Sequence, residues 1–128
     1  VKKVDYNFDQ IKNATGYDHN WCLNTYKDGK GDDKTVCASL YSPTSGILLE
    51  VFTNEPGIQV YTGNFQGTGI PGKHGIKYPK HVSVCFESQK YPDSPTKVAQ
   101  GVKGWTDATL KPGEKYYSHL AYKFSVKK

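Results

Sequence analysis

The sequence contains no arginine and no methionine; all 17 of its Lys and Arg residues are lysine. Arginine makes the commonest specific base contact and most bidentate phosphate contacts. Without it, and with the lysines scattered except at the chain ends, the net charge of +5 reads as a solvated basic surface. Nucleic acid is therefore not an expected partner. No apolar run approaches the roughly 18 residues that cross a bilayer, and no secretory leader pattern opens the sequence, so no membrane partner is expected. Starting at Val1 without any methionine, the chain is expected to be a processed or truncated product.

Cysteine is sparse. Cys22, Cys37 and Cys85 cannot all pair within the chain, and none lies in a C-x-x-C pair. Buried free thiols in a reducing compartment are the favoured expectation, which leans towards the cytoplasm. Asn13-Ala14-Thr15 is a glycosylation acceptor pattern that would matter only in a secreted chain. The compartment stays open. At 36% hydrophobic and 23% charged, the 128 residues have the size and composition of one folded domain.

Long helical periodicity is also missing, and alternation takes its place. Strands are predicted at 36–41, 47–53, 58–62, 82–88 and in the last stretch. There Leu120, Tyr122, Phe124 and Val126 oppose Ala121, Lys123, Ser125 and Lys127. The segment 47–53 is apolar on both faces, as in a strand between layers. Loops are predicted over roughly 63–80 and 90–113, and loops of that length are often functional. Short strands with Gly and Pro punctuation indicate an all-β sandwich or barrel.

Several chemistries are excluded. Gly67-Thr68-Gly69-Ile70-Pro71-Gly72 fits G-x-G-x-x-G, but the following Lys73–Pro79 stretch would not open the helix a dinucleotide site needs. No cofactor is expected. His19, His74, His81 and His119 show no metal-ligand spacing, so no metal is expected. No G-x-S-x-G elbow is present for a hydrolase.

Three polar residues remain. In His81-Val82-Ser83-Val84-Cys85-Phe86-Glu87 the alternation puts Val82, Val84 and Phe86 on one side. Glu87 falls on the other, where a half-buried carboxylate is costly without a partner or a task. Gln59, between Ile58 and Val60, faces either solvent or the floor of a cleft. Gly16-Tyr17-Asp18-His19-Asn20-Trp21 sets polar groups between aromatics, which fits a sugar-binding surface as well as it fits a turn before a strand. Asp18, Gln59 and Glu87 could meet on one curved sheet.

Longer stretches then carry a resemblance. Gly16-Tyr17-Asp18-His19-Asn20, Ser45-Gly46 with Leu49–Thr53, Glu55–Phe65, Gly72-Lys73, Glu87–Ser94 and Leu110–Glu114 resemble, in order and spacing, the aldose 1-epimerase (galactose mutarotase) family. The P-G-x-Q-x-Y-T-G-N-F and E-[ST]-Q-x-[YFW]-P-D blocks are its specific signatures. The resemblance covers essentially the whole chain but only the C-terminal part of the family's. It implies that residues 1–128 are the C-terminal segment of an aldose 1-epimerase domain. The implied fold is part of a large antiparallel β-sandwich, the galactose mutarotase-like supersandwich.

The implied reaction interconverts the α and β anomers of an aldohexose such as galactose or glucose. Glu87 matches the general base, Asp18 and Gln59 match substrate-binding residues, and His19 and Asn20 are expected to support the loop. The family's general-acid histidine, a second active-site histidine and an Asn-Arg pair match nothing here. The implied partner is the N-terminal part of the same enzyme, present as a separate chain. The segment from Thr96 to Trp105 also departs from the family's usual text. Two other readings stand beside this one: a non-catalytic carbohydrate-binding module of the same fold, and a glycosidase using Asp18 and Glu87 as its two carboxylates. A sandwich cut within its sheets should leave apolar faces and strand edges bare, so the chain alone is expected to be unstable or to pair.

Overall fold

The computed structural model describes residues 4–67 and 69–127. The chain divides into two compact units, Val1–Trp21 with Gln59–Glu87 and Cys22–Ile58 with Ser88–Lys128. Strands dominate both, and every strand pair with a defined register is antiparallel, which is the all-β class expected.

In the first unit a short helix, α1 (Asp9–Ala14), leads into β1 (Asp18–Cys22). Asp9 in its first turn and Lys12 in its last complement the helix dipole, and Ile11 is its buried residue. Thr15, with φ 55°, ends it, and the Thr15 and Gly16 N–H groups donate to Lys12 O and Ile11 O. β1 belongs to a three-stranded sheet ordered β1-β6-β7, with β6 at Gly57–Tyr61 and β7 at Cys85–Gln89.

The predicted strand 82–88 thus starts later, at Cys85. His81 turns the chain at φ 60° and its N–H donates to Gly63 O; Ser83 Oγ donates to Gln66 Oε1. These residues bond to the preceding loop, which withholds them from the ladder. Within that loop, Lys73–Gly75 forms one 3-10 turn, so no helix follows the glycine-rich stretch; Thr68 lies outside the described residues.

The second unit holds two sheets. A hairpin pairs β2 (Tyr26–Lys27) with β3 (Lys30–Gly31) across Asp28-Gly29, both at positive φ, the geometry an Asp-Gly turn favours. The larger sheet is ordered β4-β5-β8, with β4 at Ala38–Tyr41, β5 at Ile47–Thr53 and β8 at Leu120–Val126. The spans of β5 and β8 match the strands predicted there.

Burial does not. Val51 and Thr53 are sealed, but Ile47 is exposed, so β5 is not covered on both faces along its length. Leu40, Leu49 and Phe124 lie in one cross-strand row, and Ile47 pairs with Val126. Within these rows Phe124 is 68% exposed and Val126 69%. One helix also occupies the region predicted as loop: α2 (Ser94–Ala99) starts with Pro in its first turn and is held by Ser94 Oγ donating to Thr106 O. No described helix is long and apolar enough to cross a membrane.

Thr53 is the polar pin of this unit. Its hydroxyl donates to His119 O at 2.8 Å and accepts from Glu55 N at 3.1 Å. With that single proton committed, the close contact to Ser88 Oγ must have Ser88 as donor. Thr53→Val keeps the shape and strips all three bonds from a buried position. It is expected to destabilise the chain by about 2 kcal/mol. The urea midpoint measures this, and an unchanged midpoint would contradict it.

Candidate functional site

Asp18 opens β1 and Gln59 lies mid-strand on β6, its neighbour in the sheet. Although 41 residues apart, they touch: Gln59 Nε2 donates to Asp18 Oδ1 at 2.8 Å. The bond commits one end of the amide. The other end, Gln59 Oε1, is buried and has no hydrogen-bond partner. A buried acceptor without a donor is costly unless a ligand supplies one. Asp18 remains exposed, with carboxylate lone pairs left over. The pair therefore sets a carboxylate with free acceptor sites beside an unpaired amide oxygen on neighbouring strands.

His19 Nδ1 accepts from the Asp18 N–H at 3.0 Å, which ties the backbone at Asp18 to the next side chain. Asn20 Nδ2 is buried without a partner and faces the same accounting as Gln59 Oε1.

Glu87 stands on β7, the strand on the other side of β6. It is exposed, which corrects the expectation of a half-buried carboxylate. Among the described residues its side chain has no hydrogen bond or ion pair. The sheet order thus puts Asp18, Gln59 and Glu87 on three consecutive strands; contact is made between the first two.

The aromatics of Gly16–Trp21 part company with Asp18. Tyr17, His19, Asn20 and Trp21 help line a cleft of about 500 Å³ with Phe8 and Ile11, and Asp18 is not among its walls.

The thiols are free, as expected, but less buried. Cys22 is exposed and Cys37 and Cys85 are half-buried. Burial holds the Cys37 thiol above its usual pKa. Burial, followed by a hydrogen bond with Cys22, pushes the Tyr91 phenol up to about 12. Tyr91 also packs edge-on against Trp105, 5.5 Å between ring centroids. Among the described residues no group of three or more His, Cys, Asp or Glu is arranged to hold a metal ion.

Neighbouring strands carrying a carboxylate and an amide together on one sheet define the architecture that the sequence motifs anticipate. Residues 1–123 match the family model for aldose 1-epimerase, and the chain belongs to that family. It is 42% identical over 111 residues to galactose mutarotase from Mus musculus, covering 87% of this chain and 30% of the relative. It is 36% identical over 118 residues to aldose 1-epimerase from Escherichia coli (strain K12), covering 91% and 31%. The crystal structure of a GalM/aldose epimerase homologue from C. elegans superposes with a TM-score of 0.70 at 25% identity, over 88% of this chain and 30% of that one. The fold is accordingly that of the family's antiparallel β-sandwich. The chain spans about 30% of the length of these relatives.

Proposed function

We propose that this chain is the C-terminal segment of an aldose 1-epimerase domain and supplies the sugar-binding carboxylate, the amide and the base of an anomerisation site. The observation that carries this reading is the bond from Gln59 to Asp18 with Gln59 Oε1 left buried and unpartnered. A pyranose hydroxyl is the donor that acceptor lacks. Asp18 then accepts from a second hydroxyl, and the two contacts orient the ring over β6.

Glu87, on the adjacent strand, takes the proton from the C1 hydroxyl. As the C1 oxygen forms its carbonyl, the bond from C1 to the ring oxygen breaks. An acid from outside this chain protonates that oxygen. Rotation about C1–C2 presents the other face of the aldehyde, and the reverse transfers close the ring as the opposite anomer. Acid and base assistance are each worth about 10²–10⁴-fold, so the chain alone is a poor catalyst. The missing acid fits a partner that supplies the remainder of the fold, taken here as a separate chain. The row of Leu40, Leu49 and Phe124, exposed at Leu40 and Phe124, gives such a partner an apolar face to cover.

Mixing this chain with the remaining part of the family's fold and following the optical rotation of fresh α-galactose tests the reading. Anomerisation above the spontaneous rate is expected. No gain over the spontaneous rate would remove the enzyme. Calorimetric titration of galactose into the chain tests binding separately. Gln59→Leu, which removes both hydrogen-bonding ends of the amide, is expected to weaken binding about tenfold. Binding without turnover in the mixture would leave a carbohydrate-binding module.

A further inference from the structure

Asp18 follows a residue whose backbone is bonded to two side chains just past β6. Tyr17, the preceding residue, has both its backbone groups held. Its N–H donates to Thr62 Oγ1 at 3.0 Å. Its carbonyl accepts from Asn64 Nδ2 at 2.8 Å and from the Thr62 N–H at 3.1 Å. The two side chains are also bonded to each other, Thr62 Oγ1 donating to Asn64 Oδ1 at 2.7 Å. The longer approach of Thr62 Oγ1 to Tyr17 O, 3.3 Å, is secondary, because the hydroxyl has one proton.

The remaining Asn64 proton goes to Ala14 O at 2.9 Å, at the end of α1. Asn64 is fully buried, and its amide cannot flip: two carbonyl oxygens face Nδ2, and both would then face Oδ1. Gly16 completes the arrangement. A β-carbon there would run into Asn64 Oδ1 and lie 2.9 Å from Thr62 Oγ1, and its φ of 149° is one that L residues rarely adopt. The chain between α1 and β1 therefore has a single path under this clamp, and Asp18 is the first residue to leave it.

We propose that Thr62 and Asn64 are positioning residues, a buried clamp on the Tyr17 backbone that sets the direction of the Asp18 carboxylate towards Gln59 and the bound sugar. The sugar half of this statement rests on the epimerase reading above; the Asp18–Gln59 half does not. Ordinary structural polar groups stabilise the fold without regard to Asp18. A clamp acting through Asp18 must lose its effect on binding when the carboxylate is gone.

The experiment is a cycle of Thr62→Val, Asp18→Ala and the double variant, with galactose affinity read by calorimetry and the Gln59 side-chain amide signals by NMR. Thr62→Val is nearly isosteric and removes the hydroxyl. It is expected to weaken galactose binding about tenfold, with Thr62→Ser restoring it to within about twofold. In the Asp18→Ala background, Thr62→Val should cost nothing further. The Gln59 amide signals in Thr62→Val should move towards their Asp18→Ala positions.

An equal loss in both backgrounds, or Ser performing no better than Val, overturns the clamp. If Asp18→Ala leaves galactose affinity unchanged, or the wild-type chain does not bind, the sugar reading fails and the amide signals alone decide: unmoved signals in Thr62→Val overturn the proposal. If Thr62→Val does not fold, Thr62→Ala, which sets no methyl against Asn64 Oδ1, takes its place in the cycle with the same outcomes.

Discussion

Glu87→Gln is expected to slow galactose anomerisation about 10²–10⁴-fold in the assembled enzyme while leaving sugar affinity within a few-fold. The amide has the size of the carboxylate but cannot take up the C1 proton. It should not disturb the fold, because Glu87 is exposed and its side chain has no hydrogen bond or ion pair among the described residues. An exposed substitution of that kind usually stays within about 0.5 kcal/mol. The expected signature is a drop in kcat with KM and melting temperature almost unmoved. Retention of wild-type kcat would remove Glu87 from the chemistry. A rise in KM at constant kcat would make it a binding group instead. The pH–rate profile gives an independent check: the limb belonging to an essential base should vanish in Glu87→Gln.

The second large effect concerns stability. Glu55 is 3% exposed, and its Oε2 lies 3.0 Å from Lys90 Nζ. The lysine is a third exposed, so solvent screens part of the attraction. The carboxylate has no such relief. Lys90→Met retains an apolar stem of comparable length and strips the counter-charge from a buried anion. Breaking such a pair from one side costs about 3–5 kcal/mol when both partners are buried. Partial exposure of the lysine brings the expectation to about 3 kcal/mol. Replacing both residues, Glu55→Gln with Lys90→Met, removes the stranded charge and should recover much of that loss. Urea unfolding with an unchanged m-value measures both. A single variant as stable as wild type would mean that water already solvates Glu55.

Legibility from sequence differs by element, and the reasons are local. β5 could be read because a largely apolar run of seven residues lies between turn residues, and β8 because alternation persists for seven residues. The hairpin at Asp28-Gly29 carried a readable turn dipeptide but strands of only two residues, too short for any periodicity. α1 and α2 have six residues each, under two turns, so no apolar stripe could reveal them. β7 was misjudged at its start because Val82 and Val84 alternate like a strand while His81 and Ser83 bond to the loop at 63–66. That competition is between segments distant in the chain, and no window of sequence contains it.

For the site, residue types and motif order pointed to Asp18, Gln59, Glu87, His19 and Asn20, since the blocks that carry them are contiguous and chemically specific. Thr62 and Asn64 lay within the same blocks and passed unnoticed. Their role depends on a hydroxyl and an amide turning inward to a backbone 45 and 47 residues away.

The sequence by itself determined the class of fold, the family and the chemistry of each candidate side chain, because these depend on residue type and short-range order. The tertiary structure decided which groups meet. The pairing of β1 with β6 puts the Gln59 amide on the Asp18 carboxylate and leaves its oxygen buried and unpaired, and Tyr17 and Trp21 line a cleft with Phe8 and Ile11 that Asp18 does not enter. Contact across 41 residues is a property of sheet order, which no local run of the chain encodes.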